Sequence, residues 1–245
     1  VQTDYAAHYA RLYREHWWWR AREAMLLDTL RRVLPAAAAT RHILDVGCGD
    51  AVSFPALAAF GDVCGIEVDE GLLDPLGPYR HRISTRPLGD PMYNADASRF
   101  DLITALDVIE HIEEDRTAVA AMAAMLRPGG LLVATVPAFN LLWDHHDVLN
   151  SHFRRYTRQQ LRAVIASSGL EPVRTQYWFR ALFVPKLTVA MLNRTRKRKV
   201  EQHQIPHAAI NRAMQALCVL EHRALGRVPV PMGTSVLAIA RRPLA

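Results

Sequence analysis

Apolar side chains along this chain first recur at helical spacing and then fall into short solid blocks. Tyr5, Tyr9, Leu12 and Tyr13 recur at i, i+4, i+7 and i+8 with Arg and Glu filling other positions of the segment, which predicts a helix over Tyr5–Val33, ended by Pro35 and an alanine run. The blocks that follow read as strands closed by turn signals: His42–Val46 before Gly47-Cys48-Gly49-Asp50, Val63–Val68 after a Gly-Asp turn, and Arg82–Leu88, weakened at its end by Pro87. Phe100–Leu106, Leu131–Val136 (stopped by Pro137), Val173–Phe179 and Ser235–Ala240 complete the set. Helical patterns fall between them at Ser53–Phe60, at Glu113–Leu126 before Arg127-Pro128-Gly129-Gly130, and from an N-cap at Thr157 through Ser168 to a stop at Gly169. Strands alternating with helices, several of them apolar throughout, imply an α/β fold with a doubly wound, mainly parallel seven-stranded sheet covered on both faces. Residues 180–233 break the alternation with two helical patterns and read as an insertion packed over one end of the sheet.

Composition narrows the class. Half of the 245 residues are hydrophobic, enough for a core, and the length fits one domain carrying an insertion. The three cysteines, Cys48, Cys64 and Cys218, are too scattered for a disulfide framework and form no zinc-type pair, so a reducing cytoplasm is the expected compartment. No uninterrupted apolar run of a secretory leader occurs in residues 1–34, and the longest apolar stretch, Ala181–Leu192, holds Pro185 and Lys186 and is too short to span a bilayer. The net charge is +6, part of it in Arg194-Thr195-Arg196-Lys197-Arg198-Lys199. That run reads as a solvated loop, or as a contact for an anionic partner. It lacks the stacking aromatics of an RNA-binding patch, which argues against nucleic acid. Peripheral membrane contact through residues 177–199, aromatic first, then apolar, then basic, stays open.

In an open α/β sheet a ligand sits beyond the carboxyl ends of the strands. The loop there reads Leu44-Asp45-Val46-Gly47-Cys48-Gly49-Asp50-Ala51, with two glycines that allow a tight turn and let a ligand lie on bare backbone. Glu67 ends the second strand 20 residues after Gly47, where an acid can accept both hydroxyls of a ribose. A dinucleotide reading fits less well, because Val52 stands where a third small residue is wanted and Asp50 would face phosphates.

These residues resemble the class I S-adenosylmethionine-dependent methyltransferases of small molecules. Leu44–Asp50 is similar to the family's glycine motif and Glu67 to its ribose-binding acid. Phe100–Ile103 followed by Leu106-Asp107-Val108-Ile109-Glu110-His111 is similar to its fourth strand and the loop lining adenine and methionine. Leu126–Gly130 is similar to the turn before its fifth strand. The resemblance implies a Rossmann-like methyltransferase domain over 1–245, with a helical lid at 1–34, a cofactor core at 35–179, the insertion at 180–233 and the last strand at 234–245. It implies S-adenosyl-L-methionine as cofactor, held by Asp45, Gly47, Cys48, Gly49, Glu67, Val68, Leu106, Asp107, Val108 and His111. Asp90 is the candidate adenine-side acid and Asp96 the alternative. Ala51 departs from the family's third glycine.

The loop after the fifth strand is expected to border the methyl group. It holds Trp143-Asp144-His145-His146-Asp147 and then His152-Phe153-Arg154-Arg155-Tyr156, a pattern that resembles a bacterial subgroup of the family without naming its acceptor. His145, His146 and His152 are candidate general bases, with Arg154, Arg155 and Tyr156 beside them. Metal ligation by His145, His146, Asp147 and His152 is a second reading and loop hydrogen bonding a third, and a metal-free site is expected. The arginines read either as a fork gripping an acceptor's carboxylate or phosphate, or as a salt bridge fixing the next helix. Of Trp17, Trp18 and Trp19, at least one should lean over the sheet end. The expected reaction is O-methylation of a small, peptide-linked or lipid-linked, anionic acceptor. N- or C-methylation of a natural product, RNA methylation and non-catalytic cofactor sensing are the alternatives. Nothing in the pattern fixes the oligomeric state.

Overall fold

A computed structural model describes residues 10–35, 40–195, 204–226 and 228–244, with the backbone alone at 94–96 and 193–195. The chain forms two compact units, Val1–Pro87 with Gln202–Gly226, and Leu88–Glu201 with Arg227–Ala245. Seven strands belong to one mixed sheet, to which the first unit gives β3-β2-β1 and the second β4-β5-β7-β6.

In the first unit, β1 (His42–Val46), β2 (Asp62–Ile66) and β3 (Ile83–Ser84) pair in parallel, with Leu44 beside Cys64 and Gly65 beside Ile83. The third strand is thus two residues long, not the seven predicted. The chain turns at once, with the Arg86 N–H on Ser84 Oγ, and Pro87 gives the ladder no donor. The predicted helix at 53–60 contracts to α2 (Phe54–Leu57).

The single N-terminal helix predicted over Tyr5–Val33 is interrupted. Residues 10–15 are helical, His16 is extended, and α1 runs Trp17–Val33; residues 5–9 lie outside those described. His16 is the N-cap, its Nδ1 accepting from the Trp18 N–H at 3.1 Å. The insertion's second helix, α7 (Ala208–Leu225), packs on α1. Asn211 accepts from the Trp17 N–H at 2.7 Å and donates to the Glu15 carbonyl at 2.6 Å, while His222 meets Asp28 at 2.8 Å. Leu12, Tyr13 and Trp19 form a buried cluster with Trp18, Val52 and Ile205, so the tryptophan run packs against the residue just after the glycine turn.

In the second unit, β4 (Phe100–Leu106) runs parallel to β5 (Leu126–Pro137), and β7 (Ser235–Arg241) lies antiparallel to both β5 and β6 (Glu171–Trp178). β5 begins five residues earlier than predicted, because Leu126 already pairs with Phe100 and the Arg127–Gly130 turn is knitted to Arg242 by two backbone bonds of 2.9 Å. Between these strands lie α3 (Asp115–Met125), the short α4 (His145–Leu149), α5 (Arg158–Ser167) and α6 (Phe183–Thr195). Thr157 caps α5 through a reciprocal box with Gln160. β4 and β5 are almost wholly buried, as apolar blocks in the middle of a covered sheet should be. The basic residues 196–199 lie outside those described, and of Arg194 and Thr195 only the backbone is placed.

Candidate active site

Each unit carries one half of the predicted chemistry. In the first, Gly47 and Gly49 adopt φ of +67° and +53°, the left-handed region where only glycine is unstrained. The loop is tied to β2 by the Gly47 and Cys48 N–H groups on the Ile66 carbonyl. Ala51, where the family carries glycine, also sits at φ +54°. It is buried and keeps a conformation that suits glycine better. Gly65 is required for a different reason: a Cβ there would run into the Cys48 sulfur and the Phe54 ring.

Glu67 is 7% exposed, and its carboxylate already accepts from the Gly49 N–H at 3.0 Å and the Asp69 N–H at 2.9 Å. Each oxygen keeps further acceptor capacity, and the acid is locked in direction by the loop it would serve. Asp45 is buried at the end of β1 and accepts from Ser53 Oγ. Burial first, and then the Asp45 and Glu67 carboxylates, push the Cys48 thiol far above its ordinary range, so it is an inert lining group. Val68 is exposed. Asp50 faces away, capping the Asp74 N–H at 3.0 Å.

In the second unit, Leu106 at the end of β4 and Asp107 and Val108 just past it are half-buried. Asp107 is held at φ +57° by its N–H on the Thr135 carbonyl at 2.9 Å, with the Thr135 hydroxyl on its carboxylate at 3.3 Å. Such strain tends to collect at functional loops. Asp90 accepts from the Met92 N–H at 2.8 Å, which makes it a turn cap; the Asp96 side chain is outside the description.

The loop after β5 is organised by Asp147, which is fully buried. It takes a bidentate pair from Arg155, Nε at 2.7 Å and Nη2 at 2.9 Å, and meets His152 Nδ1 at 2.8 Å. It also accepts from the Asp144 N–H at 2.8 Å, closing the capping box of α4. Burial alone would raise this carboxyl's pKa, but the His152 and Arg155 hydrogen bonds outweigh it and hold the group far below the usual carboxylate range. Arg154 turns the other way, to Asp115 at 2.9 Å and the Glu113 carbonyl at 2.7 Å. Tyr156 is buried and donates to the same Asp115 at 2.8 Å; burial first and Asp115 second raise its phenol. His145 is exposed, while His146 is half-buried and its basicity is lowered by that burial.

The histidine that meets His152 is therefore neither of these but His111, with ring centroids 4.6 Å apart. Desolvation of the ring by its surroundings first, and His152 second, lower the basicity of His111. A 2.8 Å backbone bond from the Phe153 N–H to the Glu110 carbonyl ties the two turns together.

A family profile described as a methyltransferase domain matches residues 18–175. The chain belongs to that methyltransferase family. S-adenosylmethionine is the family's methyl donor, and with it the cofactor of this domain. The chain is 33% identical over 97 residues to a ubiquinone biosynthesis O-methyltransferase of Coxiella burnetii, a match covering 38% of this chain and 42% of that protein. The chain thus spans under half the length of that curated relative. Among solved structures it resembles a SAM-dependent methyltransferase from Archaeoglobus fulgidus, with TM-score 0.54, 14% identity and coverage of 89% and 94% of the two chains. It also resembles phosphoethanolamine N-methyltransferase 2 of Haemonchus contortus in complex with S-adenosyl-L-methionine, with TM-score 0.54, 14% identity and coverage of 89% and 52%. Both likenesses concern the fold.

Within the methyltransferase domain, the residues predicted for the acceptor side separate into groups. His152 and Arg155 meet at Asp147, Arg154 and Tyr156 meet at Asp115, and His145 and His146 stand apart on α4. Both arginine forks are occupied by carboxylates of the chain itself. Sequence reasoning missed Asp115 and Glu110 as partners, because their contacts lie about 40 residues away along the chain.

Proposed function

We propose that this methyltransferase domain moves the methyl group of S-adenosylmethionine to an oxygen of a small or lipid-linked metabolite. The observation that carries the reading is the edge formed by His111 and His152, the latter aimed by the buried Asp147–Arg155 pair. Relatives named as O-methyltransferases support oxygen as the acceptor atom. Gly47, Gly49, Asp45 and Glu67 are assigned to the cofactor: bare backbone for the ligand's body, and carboxylates for its ammonium and ribose hydroxyls. Transfer is an in-line displacement at the sulfonium carbon. The domain's main work is holding the two reactants aligned in a site with little water. A hydroxyl acceptor must shed a proton as it attacks, and the imidazole edge serves that step. The expected anionic group on the acceptor rested on Arg154 and Arg155; with both held internally, we propose no arginine clamp.

A lipid-linked acceptor is favoured by a separate observation. α6 leaves Val184, Val189, Met191 and Leu192 exposed, although among the described residues no helix is long and apolar enough to cross a membrane. An acceptor screen with methyl-labelled S-adenosylmethionine tests the reading. Label on an oxygen, lost in both His111→Ala and His152→Ala, is the expected result. Label on nitrogen or carbon, or full turnover in both variants, overturns it. Flotation with anionic vesicles tests the lipid side.

A further inference from the structure

Glu110, His111 and His152 each place one ligand-type atom so that all three lie within 4.8 Å of one another. Two imidazoles and one carboxylate, with positions left open, form a donor set that first-row divalent ions take readily. Three features suit that use. His152 commits Nδ1 to Asp147, which leaves Nε2 as the ring atom for a ligand. Asp147 is itself immobilised by Arg155, so the ring has the carboxylate-imidazole support that fixes tautomer and direction at metal centres. The burial gradient fits too: Glu110 is fully buried, His152 intermediate and His111 exposed, giving a closed floor and an accessible mouth.

We propose that Glu110, His111 and His152 form a site for a divalent ion of the zinc class, with open positions for an oxygen of the acceptor. This differs from the metal-free site expected from the sequence, and from the set of His145, His146, Asp147 and His152 weighed there. Asp147 supports a ligand, and the α4 histidines take no part. A tetrahedral ion with bonds of about 2.0–2.2 Å holds its ligands about 3.4 Å apart. The three side chains therefore draw in by up to about 1.4 Å, a movement open to the exposed His111 ring. A metal-held hydroxyl loses its proton near neutral pH, so with the ion bound the His111–His152 edge would serve the proton-release step of the reading above through the ion it holds.

The role in methyl transfer rests on the reading above; the site itself does not, and its test uses neither acceptor nor methyl donor. Untagged protein, stripped by chelator, is titrated with Co²⁺ and followed by visible absorption and calorimetry. One equivalent with a ligand-field spectrum is expected. His111→Ala and His152→Ala should each weaken binding by more than about 100-fold, beyond the 10- to 100-fold range of supporting residues. The His145→Ala/His146→Ala double variant should bind as wild type does. Absence of saturable binding overturns the site. So does binding unchanged in His111→Ala, which removes an exposed side chain and decides the matter should His152→Ala fail to fold. Loss of binding in the α4 double variant also overturns it, in favour of the set first weighed. If Co²⁺ binds as expected but label from the acceptor screen lands on nitrogen or carbon, the site stands and the O-methylation reading falls.

Discussion

Replacing Asp147 by Asn keeps the side chain's shape and removes its charge. In the native state that charge faces the Arg155 guanidinium through two parallel bonds, and Arg155 is itself only 7% exposed. The variant leaves a buried guanidinium opposite a neutral amide that must turn one NH₂ donor toward donors. Breaking a buried pair from one side costs about 3–5 kcal/mol, because the orphaned charge stays desolvated. For a chain of this length that corresponds to a fall in Tm of roughly 6–20 °C. The pH dependence follows from the depressed carboxyl. Its contribution is complete above the unfolded carboxylate's pKa of about 4, and is lost as pH falls below that toward the native value. Urea unfolding at pH 7 should show the full deficit, and the gap between wild type and Asp147→Asn should narrow in acid. A double variant with Arg155→Met should recover much of the loss, since it removes the stranded charge. A deficit below about 1 kcal/mol at pH 7, or a double variant no better than the single, would show that the pair does not organise this loop.

Glu67→Ala should weaken S-adenosylhomocysteine binding by about 1.5–3 kcal/mol, the range for hydrogen bonds to a charged group. Calorimetry showing unchanged affinity would move the ribose elsewhere. Gly49→Val puts a branched side chain at φ +53° on the face assigned to the ligand, so cofactor binding should vanish while far-UV circular dichroism keeps its helix signal. Arg155→Lys retains charge and loses the fork on Asp147, for an expected cost of about 1–3 kcal/mol in urea unfolding. Arg154→Lys, with its guanidinium nearly a third exposed, should cost under about 1 kcal/mol.

The two sets of candidate residues were legible in the sequence to different degrees, for a physical reason. The set proposed for the cofactor is built from backbone: left-handed glycines at 47 and 49 and an acid at the end of the next strand, all determined within about 20 residues. Conformational demands that local leave their mark as residue types at fixed spacing. The central strands were readable likewise, because a strand covered on both faces is mostly apolar. The errors came where one contact overrode a pattern. His16 caps α1 and splits a periodic helix, and Arg242 recruits the Arg127–Gly130 turn into the sheet.

The set expected on the acceptor side is built from side chains that find one another at long sequence separation, and the residue types alone mislead. Paired arginines before a helix N-terminus look like an anion grip, since a cation there does nothing for the helix dipole. The dipole argument is sound and demands an acid nearby; the fold supplies two, Asp147 from ten residues before the capped helix and Asp115 from the start of α3. Each arginine takes one, the side chains diverge, and the same division sets Tyr156 against Asp115 and His152 against Asp147. What remains is the edge of His152 not bound to Asp147, clustered with the exposed His111 and the buried Glu110. The arginines therefore matter to the chemistry by what they hold: Arg155 immobilises Asp147, and Asp147 in turn fixes the direction of the His152 ring.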